Sequence, residues 1–157
     1  MNNSLSVLSE SLDMKLDVLS KIKEYTDKQK TVFEEETPNI DEFDQLVDEK
    51  DILVDKLILL DDGFEKLFQD VSAELKANKD KYSDQIKQMQ EKISRITELS
   101  ASIQTQEARN KKSIEEYFSK ERQGIKKNRV SSKAAYDYYR NMSGMNIQSP
   151  GFLDSKH

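Results

Sequence analysis

A long amphipathic stripe in residues 43–71 constrains the fold of this chain more than any other feature. That stripe repeats at alternating spacings of three and four, through Phe43, Leu46, Leu53, Leu57, Leu60, Phe64, Leu67 and Val71. This is the period of an α-helix, whereas a strand would alternate at every second residue. Lys50 is the only polar residue at a stripe position, and acids and amides fill most other positions. The pattern predicts a helix whose apolar face needs partner helices.

The composition favours the same class of protein. Hydrophobic and charged residues each account for 35% of the 157 residues, and there are only 4 Gly and 2 Pro to form tight turns. Such a surface-rich composition is typical of a narrow bundle or a coiled coil. We therefore expect an all-α protein, specifically an elongated antiparallel three-helix bundle or coiled coil with a long third helix and a flexible C-terminal tail.

Residues that end or begin helices predict where the first two helices lie. A leucine-rich seam predicts a first helix over residues 4–36, although the seam weakens at Lys15, Thr26 and Gln29. Pro38 ends that helix because proline disfavours helical geometry at the residue before it. Asn39, with Glu42 three residues later, predicts the capped start of a second helix over 40–76. The connection is short, so the two helices should be antiparallel neighbours.

The third helix is predicted by a weaker signal. The second helix should continue unbroken through Gly63, because the apolar series stays in phase there. The stripe thins at residues 77–80, where we expect a tight turn, although one continuous helix is an alternative. A third helix then follows over 81–125. Its apolar face almost vanishes in residues 104–113, so the packed bundle should end near that point. Residues 1–125 would form the helical domain.

A second, shorter stripe beyond that gap is the predicted partner-binding region. Apolar residues that overhang a bundle are unusual on a soluble monomer and indicate a contact surface. We predict such a surface from the end of the third helix and from a Tyr- and Met-rich segment within residues 126–157, which should contain a short helical segment and a flexible tail. The residues are Ile114, Tyr117, Phe118, Ile125, Tyr136, Tyr139 and Met142. Capping of the bundle end and dimerisation are alternative roles for the Tyr/Met segment.

Residues that would carry catalysis are missing from the sequence. The chain has no cysteine, and its single histidine is His157, which excludes thiolate sites and most zinc sites. A glycine-rich phosphate loop, a nucleophile elbow and a Glu-x-x-His pair are all absent. We expect no enzymatic activity, no cofactor and no metal site.

The charge pattern and the hydropathy predict where the protein is located and which partners it binds. Acids dominate residues 1–75 and bases dominate residues 76–157, which predicts either that the second half folds back on the first or that the chain forms an antiparallel homodimer. Arg109–Arg129 is basic, but the chain as a whole carries a net charge of -5, so we do not expect nucleic-acid binding. Neither an apolar run of membrane-spanning length nor a secretory signal is present. A cytoplasmic location is expected, without membrane insertion.

The central stripe also resembles part of a known family. Residues 43–61, FDQLVDEKDILVDKLILLD, fit a pattern LxxLxxEKxxLxxxLxxLD through Leu46, Glu49, Lys50, Leu53, Leu57 and Leu60. With a leucine-rich first helix, a long third helix and the ending SPGFLDSKH, the chain resembles the FlgN-type flagellar export chaperones over most of residues 4–145. It departs after the third helix, where AYDYY replaces the Tyr-Gly pair that some members carry.

The resemblance implies a function and a class of partner. Such a chaperone is small, cytoplasmic and without ATPase activity, and it holds the hook–filament junction proteins FlgK and FlgL before export. It would bind an amphipathic helix of its client and present the client to the flagellar type III export gate at the membrane. The alternative is a structural coiled-coil scaffold or dimeric spacer with no client, in which self-association covers the apolar stripes.

Overall fold

The computed structural model describes residues 2–124 and Tyr138, and this part of the chain forms an all-α three-helix bundle. Helix α1 is Asn2–Val32, α2 is Ile40–Ala77 and α3 is Ser83–Gly124. The predicted all-α three-helix bundle is therefore confirmed for these residues. The break between α2 and α3 shows that these are two helices and not one continuous helix. The predicted short helical segment and tail at residues 126–157 lie outside the described residues, apart from Tyr138.

The end of α1 and the start of α2 follow from local chemistry. At the end of α1 the backbone N–H of Phe33 donates to the Lys30 carbonyl at 3.2 Å, a tightened last turn. The three glutamates that follow at residues 34–36 are unfavourable at the negative end of a helix dipole, so α1 ends earlier than the predicted residue 36. Helix α2 begins with a cap, since the Asn39 side-chain oxygen accepts the Glu42 N–H at 3.2 Å.

The described residues divide into two compact units, each built from parts of all three helices. The first unit comprises residues 2–20 and 55–100, and the second comprises residues 21–54, 101–124 and Tyr138. Within the second unit, Thr26 contacts Lys50 while Gln29 contacts the more N-terminal Phe43, so α1 and α2 are antiparallel there. The two units have cores of different chemistry.

Apolar side chains dominate the core of the first unit. The buried residues come from all three helices and from the turn before α3: Leu5, Leu8, Leu12, Val18, Leu19, Leu57, Phe68, Val71, Leu75, Tyr82, Ile86, Met89, Ile93 and Ile96. The buried polar residues of this unit are Lys15 and Ser100. Lys15 Nζ lies 2.5 Å from a carboxylate oxygen of Asp61, which keeps partial access to water. Burial of this apolar surface is the main source of stability here.

The buried face of α2 is wider than the predicted stripe and is displaced by one residue over part of its length. Val47, Val54 and Phe68 are buried, whereas Leu53 and Leu60 are only half-buried. A helix that packs against two neighbours buries more than a single row of side chains, which explains the difference. The helix continues through Gly63 as predicted, and a Cβ atom placed there would meet no other atom within 4 Å.

None of the three helices in residues 2–124 combines the length and the apolar character that crossing a bilayer needs.

Candidate functional site

The core of the second unit contains a cluster of buried polar side chains. They are Thr26 and Gln29 from α1, Lys50 from α2, and Glu107 and Asn110 from α3. We call these five residues, together with Tyr138, the polar cluster. On α3 they continue the helical rhythm, because Glu107 and Asn110 lie between the buried Ile103 and Ile114 at spacings of four, three and four. The prediction that the packed bundle ends near residues 104–113 is therefore wrong: polar side chains replace apolar ones at the same buried positions.

Lys50 lies at the centre of the polar cluster and has 0% of its surface exposed. Its Nζ donates to Thr26 Oγ1 at 3.3 Å and also to Gln29 Oε1 and Glu107 Oε1. These three bonds use every proton of the ammonium group. Burial lowers the pKa of Lys50 below its usual 10.5, and the Glu107 carboxylate opposes that shift. The amine is thus held in place by neighbours that compensate for only part of its lost hydration.

Tyr138 completes the polar cluster. Its side chain is fully buried, its hydroxyl donates to Glu107 Oε1 at 3.2 Å, and its ring centroid lies 4.2 Å from Lys50 Nζ. The ring face is therefore placed for a cation–π interaction. Helix α3 continues from Glu107 to Gly124, which is about 25 Å of helix at 1.5 Å per residue. Tyr138 thus contacts a residue that lies 31 positions before it in the sequence.

Other contacts position the carboxylate and the α1 backbone. Thr26 Oγ1 lies 2.7 Å from both the Ile22 carbonyl oxygen and Glu107 Oε1, and Asn110 Nδ2 donates to the Thr26 carbonyl at 2.9 Å. Glu107 Oε2 is buried and accepts no hydrogen bond from the described residues. The cluster thus ties all three helices together through Glu107.

A groove of about 590 Å³ lies at the end of the second unit, where the α1–α2 connection meets the C-terminal turns of α3. We call it the acidic groove because four carboxylates and one lysine line it. Its lining comprises Phe33, Glu35, Glu36, Thr37, Pro38, Ser113, Glu116, Tyr117, Lys120 and Glu121. Phe33 is fixed from behind by an edge-to-face contact with the buried ring of Phe43, at a centroid distance of 5.4 Å. The groove therefore combines an aromatic side with a negative rim.

Two of the predicted partner-binding residues come together beside this groove. Tyr117 and Phe118 are both half-buried, and their rings form an edge-to-face pair with centroids 5.5 Å apart. Tyr117 also lines the groove. Ile114 is only 3% exposed, so it belongs to the core and does not lie on an exposed face as expected. It lies four residues after the buried Asn110, so it continues the buried face of α3. The remaining predicted residues lie outside the described part of the chain: Ile125, Tyr136, Tyr139 and Met142.

The hydroxyl of Tyr117 is the polar group of this aromatic pair. Partial burial raises the pKa of Tyr117 above its usual 10.0, and the nearby Glu121 carboxylate raises it further. The phenol therefore stays protonated at neutral pH and can donate a hydrogen bond. Half-buried tyrosines of this kind, with apolar area and a polar end, are common in protein interfaces.

Sequence reasoning did not predict the polar cluster, although its signal was present. Thr26 and Gln29 occupy positions where the α1 seam weakens, and Lys50 is the polar exception in the α2 stripe. Glu107 and Asn110 occupy the apparent gap of α3. In the sequence, each of these polar residues looks like a local loss of amphipathicity. Pairing the polar exceptions of one helix with those of the next would have predicted a shared buried layer.

Neither a protein-family model, nor a curated protein, nor a solved structure matches this chain. Within residues 2–124 and Tyr138, His, Asp and Glu side chains form no group of three or more that could hold a metal ion. The polar cluster, the acidic groove and the Tyr117–Phe118 pair are the features of the described chain that bear on function.

Proposed function

We propose that this protein is a cytoplasmic export chaperone that binds hook–filament junction proteins of the FlgK and FlgL type and passes them to the flagellar type III export gate. In this role it is a binding protein and not an enzyme. The client contributes an amphipathic helix, and the surface that receives it lies at the C-terminal end of α3.

One observation carries the protein-binding part of this proposal: the half-buried Tyr117–Phe118 pair at the edge of a groove of about 590 Å³. Pockets of a few hundred Å³ with aromatic walls and a few polar groups are typical binding sites. Aromatic anchors with partly buried rings account for much of the binding free energy of protein interfaces. Hydrogen bonds of the polar cluster also join the three helices of the second unit, which supports a rigid binding surface for the client.

The resemblance of residues 43–61 to the FlgN-type chaperones supports the choice of client. Lys50, which the resemblance includes, is the residue at the centre of the polar cluster. The motif therefore contains a structural requirement of the second unit, in addition to its amphipathic stripe. A motif lysine that is fully buried and hydrogen-bonded is unusual for an ordinary surface helix.

The test is isothermal titration of the intact protein with the C-terminal helical segment of a junction protein. The wild-type protein should bind. The double variant Tyr117→Ala/Phe118→Ala should weaken binding by roughly 2–4 kcal/mol, because clustered aromatic anchors lose contact area together. Absence of any heat of binding with the wild-type protein would contradict the proposal.

A matched control is available within the chain. Tyr25→Ala/Phe64→Ala removes one half-buried tyrosine and one half-buried phenylalanine that lie outside the groove. This variant should bind like the wild type. An equal loss of affinity in both double variants would mean that general destabilisation, and not the aromatic pair, explains the effect. Circular dichroism of both variants verifies that the helices persist.

A dimeric spacer or scaffold is the second candidate, and exposed apolar residues of the first unit favour it. Ile58 and Leu59 on α2 are 51% and 72% exposed, and Val7 and Met14 on α1 are also exposed. Sedimentation equilibrium separates the candidates. A tight dimer that Leu59→Asp dissociates supports the spacer, and a monomer that binds the junction segment supports the chaperone.

A further inference from the structure

We propose that the acidic groove is a docking site for a cationic segment of a partner protein, in which lysine or arginine side chains flank an apolar one. The identification of the occupant as a protein segment rests on the proposed function. The positive charge and the apolar side chain of that segment are inferred from the groove itself.

The rim of the groove provides the charge argument. Glu35, Glu36 and Glu116 are exposed, Glu121 is half-buried, and Lys120 is the single cation of the lining. Among the described residues none of these four carboxylates forms an ion pair. Elsewhere on the bundle, by contrast, Asp13, Asp27 and Asp62 do pair with lysines. The groove is therefore a local concentration of negative charge that the described residues leave largely uncompensated.

The backbone adds to this negative field. Helix α1 ends at Val32, immediately before Phe33 of the groove, so its C-terminal carbonyl groups contribute the partial negative charge of a helix dipole. The opposite dipole of α2 starts at Ile40 and is offset by the Asn39 cap and by Asp41 and Glu42 in the first turn. An anionic ligand would meet repulsion from both sources. A cationic segment would gain attraction, mainly as a faster association rate.

The walls of the groove explain why the segment should also carry an apolar side chain. Phe33 and Tyr117 present aromatic surface, and Lys and Arg can lay their methylene groups and charged heads against such rings. The volume of about 590 Å³ accommodates several side chains. A simple cation would leave the aromatic surface in water. A segment of alternating basic and apolar residues would cover both the rim and the walls.

The experiment uses the full chain, labelled with ¹⁵N, and two synthetic probes. One probe is an amphipathic helix of leucine and lysine, and the other has glutamate in place of every lysine. The lysine probe should shift the amide signals of Phe33, Glu116 and Tyr117, while the glutamate probe should not. Raising the salt from about 50 to about 500 mM should weaken the lysine probe's binding, because exposed charges are screened within a few ångströms at high salt.

Charge-matched variants locate the effect. The groove variant carries Glu35→Gln, Glu36→Gln, Glu116→Gln and Glu121→Gln, and it should bind the lysine probe about tenfold or more weakly. The control variant loses the same number of negative charges from exposed acids of the first unit, through Glu10→Gln, Asp70→Asn, Glu91→Gln and Glu98→Gln. It should bind almost as the wild type does. Equal weakening in both would overturn the proposal, because it would show a response to net charge alone.

Other occupants give distinct results. Removing the bases of residues 126–129 would shift the groove signals without any probe if the chain's own basic segment filled the groove. Shifts that depend on protein concentration would indicate a second copy. Either outcome overturns the proposal. If the groove variant binds the junction segment with unchanged affinity and salt dependence, the inference fails and the proposed function stands. If the wild type binds the lysine probe at the groove but no junction segment, the proposed function fails.

Discussion

The two units of the bundle use the same helices but stabilise their interiors differently. In the first unit the interior is made almost entirely of apolar side chains, and its lysine, Lys15, pairs with a partly hydrated Asp61. In the second unit the interior contains Lys50 and Glu107 as a buried ion pair with its own hydrogen-bond partners. The free-energy cost of a lysine at a stripe position therefore depends on whether water can reach its carboxylate partner.

The two interiors make different contributions to the stability of the fold. Apolar burial is non-directional and supplies stability in proportion to area. A buried ion pair supplies little net stability, because desolvation cancels much of the attraction, but the loss of one partner leaves an uncompensated charge inside the protein. Substitution of a buried charged side chain should therefore lower the free energy of unfolding slightly in the first unit and strongly in the second.

The largest expected effect comes from removing one charge of the buried pair. Lys50→Met should lower the free energy of unfolding by about 3–5 kcal/mol, because Glu107 then stays buried without its cation. Lys15→Met in the first unit should cost about 1 kcal/mol, since Asp61 can be rehydrated. Urea unfolding followed by circular dichroism measures both. Similar losses for the two variants would remove the distinction between the interiors.

Restoring neutrality provides the control for that experiment. In the double variant Lys50→Met/Glu107→Leu neither charge remains, so most of the lost stability should return. If the double variant is as unstable as Lys50→Met, the cost arises from packing around the methionine and not from the orphaned carboxylate.

An intermediate effect is expected from Tyr138→Phe. The phenylalanine keeps the ring over Lys50 but cannot donate to Glu107, and hydrogen bonds to charged groups contribute about 1.5–3 kcal/mol. Tyr117→Phe is the matched control, because the Tyr117 hydroxyl makes no hydrogen bond to a described residue. Its unfolding midpoint should hardly change. A negligible effect of Tyr138→Phe would argue against a shared role of Tyr138 in the polar cluster.

The smallest effects are those of pH, and they have opposite signs in the two units. Burial lowers the pKa of Lys50, so between that value and 10.5 the unfolded state binds more protons, and this group's contribution to stability rises with pH. Burial raises the pKa of Asp61, opposed by Lys15, so its contribution falls as pH rises from 3.8 to the folded value. Urea midpoints across both ranges measure the slopes. Lys50→Met should remove the alkaline slope and Asp61→Asn the acidic one; a slope that survives its own substitution belongs to another group.

The sequence predicted the helices well because their determinants are local. The cap at Asn39, the proline at 38 and the continuous phase through Gly63 are each decided by a few neighbouring residues. The interior of the second unit could not be predicted in the same way. Glu107 looks like a surface residue in isolation, and it becomes a core residue only because Lys50, distant in sequence, meets it. The candidate site was predicted in part, since Tyr117 and Phe118 do lie together while Ile114 is buried.

The spacing of the polar cluster has a consequence for how the helices find each other during folding. The stripe of α3 keeps its rhythm of four and three through Ile103, Glu107, Asn110 and Ile114. Helices with uniformly apolar stripes can dock seven residues out of step with little penalty, since the same kinds of side chain meet again. Here a shift of α2 by seven residues relative to α3 would place Phe43 or Leu57 opposite Glu107. Lys50 would then lie among apolar neighbours without a carboxylate partner. A single lysine and a single glutamate thus make the misaligned pairings costly, and the chain retains one alignment.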